Sequence, residues 1–230
     1  MLETNIREQI ISLIHHQVVP AVGCTEPMAV ALCVARAAEL LGSKPEKVRV
    51  LLSANILKNA MGVGIPGTGM IGLPIAIALG ALIGKSEYQL EVIKELTPKG
   101  LEEGKKFIGE NRIDIKLKEG ITEKLYIEAI CEAGEHQSVA IISCSHTNFV
   151  YESVDGKVCM DKRGPSGSVA ACKGVDLNLR TVWEFATTTP VEEIEFILEA
   201  KRYNLRAAAE ALKGNYGHCL GKIMDRPLSR

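Results

Sequence analysis

The sequence predicts an α+β fold: an antiparallel β-meander of four to five strands packed with N- and C-terminal helices. Three observations predict it. Apolar residues recur at helical spacing through the first hundred or so positions. From Arg112 to Ser153 the period switches to two, and helical spacing returns after Leu179. Strands gathered in one block, with helices on either side, argue against a regular βαβ alternation. The corresponding division is 1–110, a helical region with a glycine-rich loop; 111–162, the β block; and 163–230, the C-terminal helices. The three form one continuous unit.

Taken in order, a first helix is expected over residues 6–18 and is stopped by Pro20. A second covers 27–41, is apolar almost all round and therefore buried, and closes at Gly42. Residues 47–53 alternate charged with apolar at first and read as a strand. A glycine-rich loop, 61–69, precedes an apolar helix after Gly72. Further helices are expected at 88–96 and 100–108. In the β block, Ile113, Ile115 and Leu117 alternate with Asp114, Lys116 and Lys118, and 125–132 alternates in part. Strands follow at 139–143 and 149–153, with Asp155-Gly156 as a hairpin signal. Residues 163–174 read as a loop, and helices are expected at 179–187, 191–203 and 205–212.

Composition narrows the function. With 27 basic against 28 acidic side chains, no basic excess is left to neutralise phosphates, which argues against a dedicated nucleic-acid binder. The N-terminus carries both charge signs and lacks an apolar signal core. The longest apolar run, 70–83, is shorter than the roughly 20 residues a membrane span needs. The seven cysteines are odd in number and include no CxxC pair, so reduced thiols in a cytoplasmic protein are expected.

Four segments can carry chemistry. In Gly23-Cys24-Thr25-Glu26-Pro27, Pro27 suits the first turn of a helix, and Thr25 or Glu26 can cap it. Cys24 then sits ahead of a helix N-terminus, which favours the thiolate and lowers the thiol pKa towards neutrality. Nucleophile, base, metal ligand and inert cap-side cysteine all stay open. Asn55, Lys58 and Asn59 are grouped by one helical turn, and an ammonium flanked by amides suits a carboxylate. The alternative is an ordinary polar helix start. The glycines from Gly62 to Gly72 match GxGxxG twice, but the first copy follows no strand, Pro66 removes a donor, and no acidic partner follows. An anion-binding nest of backbone amides fits better than a dinucleotide site. His146-Thr147-Asn148 lies between two strands, where a histidine serves as acid, base or ligand, or simply packs.

The motifs Gly-Cys-Thr-Glu-Pro (23–27), Ser-x-Asn-x-x-Lys-Asn (53–59), Pro-Gly-Thr-Gly-x-x-Gly-x-Pro (66–74) and His-Thr-Asn (146–148), in this order, resemble the L-cysteine desulfidase branch of the iron–sulfur L-serine dehydratase alpha-subunit group. The resemblance covers nearly the whole chain, but only the N-terminal half of the family fold. It implies a lyase that removes thiol or hydroxyl from L-cysteine or L-serine. A [4Fe–4S] cluster acts as Lewis acid in the full-length family. Residue by residue, it implies catalytic roles for Cys24, Glu26 and His146. It places Thr25, Asn55, Lys58, Asn59, Gly67, Thr68, Gly69, Thr147 and Asn148 around the substrate. The family's cluster cysteines lie in the later half, so no metal ligand and no bound cluster are expected in this chain alone. It implies a small amino-acid substrate, a downstream half or second subunit as partner, and a homo-oligomer. Nucleic acid and membrane are not expected partners. A non-catalytic amino-acid-binding or interaction module is the alternative.

Overall fold

The computed structural model describes residues 2–164, 175, 177–214 and 219–224. The loop expected at 163–174 lies outside the described residues from 165 on. The chain forms two compact units, Pro20–Lys173 and Met1–Val19 with Gly174–Arg230.

The larger unit begins with α2 (Thr25–Leu41), α1 belonging to the smaller one. There follow β1 (Lys47–Leu52), α3 (Ala54–Ala60), the short pair β2 (Gly64–Ile65) and β3 (Met70–Ile71), α4 (Leu73–Ile83) and α5 (Pro98–Gly109). The strands β4 (Ile113–Leu117), β5 (Tyr126–Ala133), β6 (His136–Ser143), β7 (Phe149–Val154) and β8 (Lys157–Asp161) complete it. Six of the strands form one sheet in the order β4-β1-β5-β6-β7-β8.

The expected meander is therefore present as β5–β8, all antiparallel, with β1 antiparallel to β5. The strand at 113–117 is a correction: it does not start the meander but pairs in parallel with β1, Val48 opposite Ile113. The sheet is thus mixed. Parallel pairing needs a long crossover, and α3, α4 and α5 between β1 and β4 supply it. The period of two marks a strand; it does not name its neighbour.

Helix α2 lies on β5 and β6, α4 packs on α2, and α5 on α4. Polar threads stitch α2 to the sheet. Cys33 Sγ lies 3.3 Å from the Ala140 carbonyl, and Ser138 Oγ donates to the Ala37 carbonyl at 2.6 Å. Arg36 grips Glu152 of β7 with two bonds, 2.9 and 2.8 Å. Gly80 is where α4 crosses α2: a Cβ there would lie 2.5 Å from the Ala31 carbonyl oxygen. The apolar run 70–83 is accordingly the short strand β3 followed by the core helix α4, and no helix among the described residues is long and apolar enough to cross a membrane.

In place of the helix expected at 88–96 stands a 3-10 segment, Ser86–Glu91, broken at Gln89 with φ 51°. The smaller unit holds α1 (Thr4–Gln17), α6 (Leu179–Thr188), α7 (Val191–Ile194), α8 (Leu198–Lys213) and α9 (Leu220–Met224). His15 stacks on Phe196 at 3.8 Å, and Arg7 pairs with Glu193 at 3.0 Å. Helices expected at 191–203 and 205–212 are corrected: α8 runs unbroken through Asn204, whose amide donates to the Ala200 carbonyl.

Candidate functional site

The turn into α2 builds the centre of the site. Cys24 is the residue before the helix, with φ −59° and ψ 134°, and makes no capping bond with its side chain. Pro27 is the third helical residue, where an amide would have no helical partner to lose. Neither Thr25 nor Glu26 caps the helix as expected. Glu26 instead gathers donors. Cys24 Sγ–H donates to its Oε2 at 3.0 Å, Thr25 Oγ1 donates to the same oxygen at 3.3 Å, and Asn59 Nδ2 donates to Oε1 at 3.2 Å.

Burial together with the bond to Glu26 reverses the expected thiol chemistry. The Cys24 pKa is raised, by burial first and by the Glu26 carboxylate next. A full negative charge in contact outweighs the partial positive charge of a helix end. The Cys24 donor, with help from Asn59 and Thr25, holds the Glu26 carboxyl below its ordinary range against the opposing effect of burial. Cys24 therefore rests as a thiol beside a carboxylate.

Helix α3 brings Asn59 to this point. Its entry is pinned by Ser53, whose hydroxyl donates to the Lys124 carbonyl at 2.8 Å and accepts from the Tyr126 amide at 3.4 Å. Asn55 and Lys58 stand exposed on the same helix, within one turn of Asn59.

The glycine segment is a hairpin, β2 against β3, and Gly62 follows a helix instead of a strand. The strand-to-helix turn of a dinucleotide fold is absent there. Gly67 and Gly69 at the tip have φ 75° and 65°, which glycine adopts without strain. Thr68 is held within its own hairpin. Its hydroxyl donates to the Ile65 carbonyl at 2.6 Å and accepts from the Met70 amide at 2.9 Å, so it holds the hairpin. Pro66 abuts the site: a Cβ on Gly23 would meet its Cγ at 2.7 Å. A cavity of about 400 Å³ opens on this side, lined by Val22, Pro66, Gly67, Leu96, Thr97 and Leu101, among others.

The β6–β7 connection supplies His146, which is half-buried; burial pushes its pKa down, opposed by the charge of Glu26. His146 therefore rests neutral within electrostatic reach of that carboxylate. Thr147 is half-buried beside it. Asn148 Nδ2 donates to the Ser143 carbonyl at 2.9 Å and closes the connection. Cys144 is disulfide-bonded, which departs from the all-thiol expectation.

Cys24, Thr25, Glu26 and Asn59 thus meet directly. His146 faces them electrostatically, and the hairpin touches them through Gly23 and Pro66. Sequence reasoning missed Ser53 as an anchor and Asn59 as the partner of Glu26. A bond across 33 positions leaves no periodic signal.

The described thiols do not form a cluster's ligand set. Cys33 and Cys131 are buried between α2 and the sheet, where burial pushes both upward, Cys131 to about 12. Cys159 is exposed on β8. Among the described residues no group of three His, Cys, Asp or Glu side chains is placed to hold a metal ion.

Fold and site together define a mixed α/β protein in which a thiol, a carboxylate and an amide meet, with a half-buried imidazole in electrostatic reach. The chain is similar to curated proteins bearing the name UPF0597 protein. One from Phocaeicola vulgatus is 64% identical over 218 residues, a match taking in 95% of this chain and 51% of that protein. One from Bacteroides thetaiotaomicron is 61% identical over 224 residues, covering 97% and 52%. One from Aeromonas hydrophila is 41% identical over 223 residues, covering 96% and 50%. The chain spans about half the length of the curated relatives it matches. No family model and no solved structure matches the chain.

Proposed function

We propose that this chain is the substrate-binding half of an iron–sulfur-dependent, β-eliminating lyase of the cytoplasm. It acts on L-cysteine or L-serine and yields pyruvate, ammonia and sulfide or water. The observation that carries the reading is the meeting of Cys24, Glu26 and Asn59, with His146 in reach, on motifs far apart in sequence.

In this reading the Glu26 carboxylate accepts the Cys24 proton as the Cys24 sulfur takes the α-proton of the substrate, in one relay that leaves no free thiolate at rest. Asn59 holds Glu26 in the orientation the thiol needs. Lys58 and Asn55 receive the substrate carboxylate, with the Gly67 and Gly69 amides at the hairpin tip. The electrons of the Cα–H bond form the Cα–Cβ double bond, and the β-substituent leaves with the electrons of its own bond. The aminoacrylate becomes an imine and is hydrolysed by water to pyruvate and ammonia. On the resemblance, Lewis-acid help to the leaving group would come from a cluster held by residues outside this chain. A homo-oligomer, or a second polypeptide that completes the enzyme, follows from the same resemblance.

The test is anaerobic reconstitution with iron and sulfide, with and without the part of the Phocaeicola vulgatus relative that lies outside the match. Pyruvate is then assayed on both amino acids. Turnover is expected only in the completed assembly. Turnover by the pure chain, or none in a cluster-loaded assembly, contradicts the reading. The protonated state of Cys24 favours one second reading, a non-catalytic amino-acid-binding module. Saturable binding by an assembly that never turns over would support it.

A further inference from the structure

The α8 helix carries an apolar seam that is exposed among the described residues. Leu198, Leu205 and Leu212 recur every seven residues and are 57%, 58% and 46% exposed. Leucines at heptad spacing line up on one side of a helix and mark a surface that packs against another element. No residue of α8 is buried. Ala208 and Ala209 lie along the same side, and small residues let a partner backbone approach closely. The seam continues into an apolar groove of about 550 Å³, lined by Ala208, Ala211, Leu212, Leu220 and Met224, among others. An uncovered surface of this kind on a water-soluble protein marks an interaction site.

We infer that the Leu198–Leu205–Leu212 seam docks the polypeptide that makes up the other half of the curated relatives. The relatives say which occupant to expect. At 64% identity, the Phocaeicola vulgatus protein carries nearly half its length outside the match. A segment tethered in the same polypeptide reaches the seam at high effective concentration and outcompetes a second copy of the chain. The inference rests on this length comparison and on the seam, and it stands apart from the lyase reading. An assembly with no turnover can still dock its other half here.

The experiment joins the unmatched part of the Phocaeicola vulgatus relative to this chain, in the relative's own order, and compares it with the chain alone. Amide exchange across residues 198–213 is expected to slow at least about tenfold in the joined protein. Leu205→Glu is expected to leave the Tm of the chain alone unchanged, because the side chain is exposed there. In the joined protein it is expected to lower Tm by about 5 °C or more. Equal exchange in the two proteins overturns the inference. A fall in Tm of the chain alone also overturns it, since the seam would then pack within the chain itself. So does a dimer of the chain alone that Leu205→Glu dissolves, because the occupant would then be a second copy.

Discussion

Burial and the Glu26 carboxylate both raise the Cys24 pKa, and this gives the residue scale its clearest test. The thiolate is the species that alkylates, so the rate of Cys24 alkylation should reach its midpoint above the ordinary thiol value of about 8.5. Glu26→Gln removes the charge and should move that midpoint down, with faster labelling at neutral pH. Peptide-resolved alkylation against pH reads both, and an unmoved midpoint would break the thiol–carboxylate pairing. His146 gives a second prediction. Its native pKa is depressed, so below about 6.5 the unfolded chain takes up a proton that the folded chain refuses. Stability should fall as pH drops from that value towards the depressed native one, and His146→Gln should flatten this part of the curve. At this scale the motifs singled out residues without specifying the bonds each one makes. Cys24 and Asn59 both bond Glu26, and His146 feels the charge of that carboxylate. Thr68 and Asn148 spend their donors on their own turns, which depends on local backbone geometry that residue type does not specify.

At the scale of elements, the crossing of α4 over α2 is set by one missing side chain. Gly80→Ala would place a methyl 2.5 Å from the Ala31 carbonyl oxygen and 3.0 Å from its Cα, both backbone atoms. The helices must part, at a cost of about 1–3 kcal/mol, read as a lower denaturant midpoint with an unchanged m-value. A variant as stable as the parent would contradict the crossing. Arg36→Met leaves Glu152, a carboxylate with 9% side-chain exposure, without its bidentate partner and should cost about 1–3 kcal/mol. The buried helices and the meander strands were legible because their periodicity comes from burial itself. The parallel pairing of β4 and the continuity of α8 through Asn204 were not. Pairing is fixed by a crossover between distant elements, and asparagine is only weakly unfavourable inside a helix.

At the scale of the whole molecule, the expectation of a single continuous unit meets two compact units, with the N-terminal α1 grouped with the C-terminal helices. Such grouping is long-range and has no local signature. The chain's share of its relatives, about half, frames the proposal that this polypeptide holds an amino acid and that turnover requires more chain. The most direct measurement is backbone-amide NMR of the 230-residue protein during titration with L-serine and, separately, D-serine. The account predicts that L-serine shifts residues 23–26, 55–59, 67–69 and 146–148 together along one saturable curve, while D-serine does not. Shifts confined to one of these segments, or none at all, would contradict it.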